Sequence, residues 1–97
     1  MSLHGSPVVE TAKLPDGRHA HIRVGVAEDS YIPESELRTV VLEVRVGGGV
    51  AAVLDTILDP EQVSEARHLA ERVRDGLASG ELAPTAHALG PLTDEFL

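Results

Sequence analysis

His19 and His21 are the residues whose types and spacing come nearest to a chemistry. Residues two apart on a strand share a face, with Cα atoms roughly 6.5–7 Å apart. Two imidazoles so placed can ligate one metal ion, but a catalytic zinc takes three protein ligands and keeps its fourth position open. Glu43 and Asp55 fall on the same face in the strand register derived below, and Glu28 lies further down the strand. Glu43 is the nearest third ligand. The surroundings oppose such a site, because Lys13, Arg18 and Arg23 flank the pair and raise the cost of adding a dication. The expectation is no metal and no cofactor, with His19, His21 and Glu43 as the residues to watch.

Other chemistries find less support. The chain has no cysteine, which excludes a thiolate nucleophile, a disulfide frame and Cys-ligated zinc. Gly47-Gly48-Gly49 lacks the following Lys-Ser/Thr of a phosphate-binding loop and reads better as a hairpin turn. Glu28, Asp29, Glu34 and Glu36 crowd one segment without the alternate spacing and central Gly of a calcium loop, so they read as a solvated acidic loop. Ser30 and Ser35 stand in no nucleophile elbow, and neither His68 nor His87 has an evident second partner. No catalytic residue is expected.

The elements that must position these residues follow from pattern. Residues 8–14 alternate as a strand, Pro15-Asp16-Gly17 turns the chain, and residues 18–27 return. Pairing Leu14 with Arg18 puts Val8, Ala12 and Leu14 on one face with Ala20, Ile22 and Val24. Val9, Thr11, Lys13, His19, His21 and Arg23 take the other, and only Glu10 breaks the separation. Residues 28–38 form a polar connection. Residues 39–46 are the clearest strand, and residues 50–58 read as a fourth, although Ala51, Leu54 and Leu58 also fit a short helix. Asp59 is the expected N-cap, with Pro60 at the first helical position and Gln62 completing a capping box. The helix then runs to about residue 79, stopped by Gly80, with Val63, Ala66, Leu69, Ala70, Val73 and Leu77 as its apolar stripe. In the last stretch a short helix from Pro84 to Leu89 would end at Gly90 and Pro91, with Leu92, Phe96 and Leu97 too apolar for an idle tail.

These elements predict an α+β fold: an antiparallel sheet of about four strands in two hairpins, with one long C-terminal helix packed on one face. The expected organisation is an N-terminal arm at 1–7, a single domain at 8–81 and a docked C-terminal tail at 82–97. Met1-Ser2-Leu3 carries no weight in it.

Composition sets the functional expectation. Sixteen Asp and Glu against eight Lys and Arg give a formal net charge of −8, which repels nucleic acid and anionic membrane at long range. No apolar run reaches the length of a membrane span and no leader pattern opens the chain, so a cytoplasmic protein is expected. Seven Arg against one Lys suggests a bacterial, GC-rich genome. With one Phe, one Tyr and no Trp, the core has no large anchor, and small cores often gain stability by pairing. The lead expectation is a non-enzymatic interaction or regulatory module that forms a homodimer. Its interface would be the open face of the sheet, through Val9, Val41, Val53 and Ile57 with Arg23 beside them. The basic ribbon of Lys13, His19, His21 and Arg23 would also suit an acidic protein partner. The alternative is a small-molecule or metal-binding protein using the His19/His21 strand.

Overall fold

The first hairpin closes where its Pro-Asp-Gly triplet demands. In the computed structural model, which describes residue 3, residues 6–26 and residues 39–95, β1 (Val8–Lys13) pairs antiparallel with β2 (His19–Val26). Leu14 N–H donates to Arg18 C=O at 2.8 Å, and Gly17 N–H donates to Leu14 C=O at 2.9 Å. Gly17 has φ 94°, the positive value that a three-residue hairpin loop needs at its last position. Asp16 accepts from the Arg18 N–H at 3.0 Å and from its guanidinium at 2.7 Å. The Arg18 backbone N–H, then its side chain, hold the Asp16 carboxyl below the usual aspartate range. The expected register is the observed one, with Ala12 opposite Ala20 and Lys13 opposite His19.

The second hairpin joins β3 (Val40–Val46) to β4 (Gly49–Asp55), completing an antiparallel sheet of order β1-β2-β3-β4. Residues 50–58 thus hold a strand and not a helix. Gly47 and Gly48 have φ 61° and 85°, the two positive values of a type I′ turn. That turn sets Val46 opposite Gly49 and Arg45 opposite Val50, after which the register shifts and Val44 meets Ala52. Ala51 is therefore the extra residue of a β-bulge. Had the ladder run on regularly, Val44 would face Ala51, and Leu54 would leave the core face for the open one. The bulge gives the later part of β4 the facing expected from a three-glycine turn.

Alternation puts Ala12, Ala20, Ile22, Val24, Leu42, Val44 and Ala52 on one face, all buried. Glu10, the exception in the sequence pattern, lies on this face opposite Ile22. It is satisfied there by Arg74, whose Nη1 donates to it at 3.0 Å. Arg74 also bonds Asp75 at 3.0 Å, and that bond chiefly raises the affinity of the guanidinium for its proton.

Two helices follow, not one. α1 (Val63–Ser79) buries Ala66, Leu69, Ala70, Val73 and Leu77, and lies against β1 and β2. It begins later than the capping pattern predicts. Asp59 Oδ1 accepts from Glu61 N–H at 2.9 Å, and Gln62 Oε1 accepts from Asp59 N–H at 2.7 Å. The reciprocal box forms, but it closes a single turn of residues 59–62 ahead of the helix. Within that turn Gln62 N–H donates to Asp59 C=O at 2.9 Å, and Pro60 C=O accepts from Leu3 N–H at 2.8 Å. Leu3, on which the sequence reading places no weight, is 3% exposed and joins the core. Asp59→Ala is expected to cost about 0.5–1 kcal/mol, the low end for capping residues because the turn is exposed. Urea denaturation measures it.

At its other end α1 stops at Gly80, with φ 82°. Leu82 folds back so closely that a Cβ on Gly76 would sit 2.3 Å from its Cδ1, which is why the helix carries a glycine inside. α2 (Ala86–Asp94) starts with Thr85, whose side chain accepts from Ala88 N–H at 3.2 Å. Contrary to expectation it runs through Gly90 and Pro91. Proline costs the His87 carbonyl its helical donor, but Leu89 and Leu92 are buried and α2 touches α1 and β4, so packing outweighs that loss. One hydrophobic cluster thus includes Leu3 from the expected arm and Leu89 and Leu92 from the expected tail. The acidic connection with Glu28, Asp29, Glu34 and Glu36, as well as Phe96 and Leu97, lies outside the described residues.

Candidate interaction surface

The open face of the sheet is a grid whose rows are read directly from the strand registers. One row runs Val9, Arg23, Glu43, Val53 across β1 to β4; the next runs Thr11, His21, Arg45, Val50; a shorter one pairs Lys13 with His19. On the other side of the first row stand Gly25, Val41 and Asp55.

The candidate metal residues occupy this grid without converging. His19 and His21 are exposed, His19 beside Lys13 and His21 between Thr11 and Arg45. Glu43 belongs to the neighbouring row, and its carboxylate accepts from Arg45 Nε. Among the described residues no three His, Cys, Asp or Glu side chains come together as a metal site. Among the described residues one cleft lies beside the β1 edge of this sheet. It measures about 240 Å³, between β1 and the start of α1, and is lined by Val8, Val9, Glu10, Val63 and Arg67 among others; its carboxylate is the one already engaged by Arg74.

The interface candidates divide. Val9, Val53 and Ile57 are 59%, 53% and 60% exposed, as a contact surface requires. Val41 is only 8% exposed and offers almost no surface in the single chain. Its neighbour on β2 is Gly25, over which Arg23 is folded: a Cβ at Gly25 would lie 3.3 Å from the Arg23 Cζ. Val9 and Val53 also belong to opposite edges, about 14 Å apart at ordinary strand spacing, with Arg23 and Glu43 between them. The expected apolar centre with a polar rim is inverted. Charge occupies the middle of the face, and apolar side chains occupy its margins.

The margin along β4 is the richer one. Val50, 55% exposed, joins Val53 there with Ala51 between them, and Ile57 follows the strand. Sequence reasoning missed Val50 because it took Gly49 into the turn and paired the strand from Val50. The two positive-φ glycines that suffice for a tight turn were the available signal.

No family model, curated protein or solved structure matches this chain. Among the described residues no helix is long and apolar enough to cross a membrane.

Proposed function

We propose that the chain is a small interaction module that acts by self-association and has no catalytic centre of its own. The observation that carries this reading is the apolar margin of β4, where Val50, Val53 and Ile57 are each more than half exposed in a chain with few large side chains. Exposed apolar residues scattered singly need no explanation, whereas neighbouring ones along a strand and its continuation support a contact surface. The net charge of −8 disfavours phosphate-rich partners and leaves protein as the natural one. A cytoplasmic, bacterial setting belongs to the same proposal and rests on composition.

Sedimentation velocity tests the reading. A dimer should accumulate as concentration rises through the micromolar range. A chain that remains monomeric at several hundred micromolar overturns it.

A further inference from the structure

We infer that β4 is the strand through which two copies join, edge to edge and antiparallel, into one eight-stranded sheet. The inference rests on the self-association reading and supplies its geometry.

Among the described residues the sheet has two ends, β1 and β4, and their sequences differ. β1 carries the devices that keep an edge from pairing: Pro7 precedes it, Lys13 is exposed at its far end, and Glu10 is tied to Arg74. β4 reads Gly-Val-Ala-Ala-Val-Leu-Asp, with no proline, no cation and a single charge at its last residue. It carries a bulge at Ala51, near the turn, and α2 touches it as α1 touches β1.

The ladder states which backbone groups are on offer. Thr56 N–H donates to Val40 C=O at 2.9 Å, so Thr56 faces β3. Alternation then turns Leu54 and Ala52 toward β3 and directs the N–H and C=O of Val53 and Asp55 outward. A second copy is the occupant these groups suit, because β4 is complementary to itself in one register. With the two-fold axis at Val53, Val53 meets Val53 of the other copy and each Asp55 stands across from the bulged end of the other strand. The two Asp55 carboxylates then stand about 13 Å apart along the strands. Centring on Asp55 would oppose like charges directly and is disfavoured. The run is short, well under the roughly 800 Å² per partner of a standard interface, so the dimer is a weak one that forms and separates with concentration.

The chain has no cysteine, so one introduced thiol reports on one contact. Val53 is exposed, and replacing it leaves the core intact. Opposed residues of an antiparallel pair lie within disulfide reach, at Cα separations of about 5.5 Å. Mild oxidation should convert Val53→Cys to a covalent dimer and leave Val9→Cys largely monomeric. Val53→Lys should weaken association about tenfold or more in sedimentation. Amide exchange at Val53 and Asp55 should slow as concentration rises. If wild type dimerises but Val9→Cys crosslinks and Val53→Cys does not, self-association stands and the edge assignment is overturned. A wild type that stays monomeric at several hundred micromolar overturns both.

Discussion

A chain ending at Thr85 is expected to be mostly unfolded or aggregated under conditions where the full chain is folded. Truncation there removes α2, and with it Leu89 and Leu92, which are 0% and 7% exposed. Each fully buried leucine contributes roughly 1.5–3 kcal/mol through the water it leaves, so the loss is about 3–6 kcal/mol before the freed chain entropy is counted. Domains of this size have only about 5–15 kcal/mol in total. The surfaces of α1 and β4 that α2 contacts would be uncovered at the same time, which adds an aggregation route. Circular dichroism with urea titration measures the first effect, and light scattering the second. A truncated chain with unchanged midpoint would mean that α2 does not dock in solution.

Leu69→Ala should show the second large effect, a loss of about 3–5 kcal/mol, in the upper part of the range for such truncations. Leu69 is fully buried in the middle of α1, flanked on the same stripe by Ala66 and Ala70. The cost depends on whether neighbours can move into the cavity. Among the described residues the buried hydrophobic side chains are all Ala, Val, Leu or Ile, whose short branches reach little way into a cavity. The urea midpoint should fall with little change in slope. Val53→Ala, on the open face, should stay within about 0.5 kcal/mol at concentrations where the chain is monomeric. Equal effects at the two positions would contradict the assigned core.

Where the sequence pattern was local, it was legible. The Pro-Asp-Gly turn and strict alternation suffice to place β1 against β2, and Glu10 stood out because its partner, Arg74, is 64 residues away. The facing of the later part of β4 was read correctly through a different turn, since two glycines plus a bulge shift the ladder as three turn residues would. The start of α1 lies a turn beyond the cap residues. The cap residues bond as their types predict, yet they close a separate turn, and the Leu3 contact with Pro60 joins positions 57 apart in sequence, which a local pattern does not show. α2 was cut short because Gly90 and Pro91 are local stop signals, whereas Leu89 and Leu92 are held by α1 and β4. The exposure of Val9, Val53 and Ile57 on the open face was legible from alternation. The burial of Val41 was not, because alternation places a residue on a face without saying what lies over it.

The bulge at Ala51 also bears on how the chain can change length over generations. Deleting Ala51 would let Arg45 still face Val50 and Val44 still face Ala52, so every later residue of β4 would keep its side of the sheet. The hairpin therefore carries one spare residue, and this is where a lineage can lose or regain a codon without reassigning its core. The loss would have a second effect, since it would straighten the strand and remove the one irregularity guarding its edge. Descendants lacking Ala51 would keep the fold and become stickier, so selection for solubility, rather than for stability, would maintain the extra alanine.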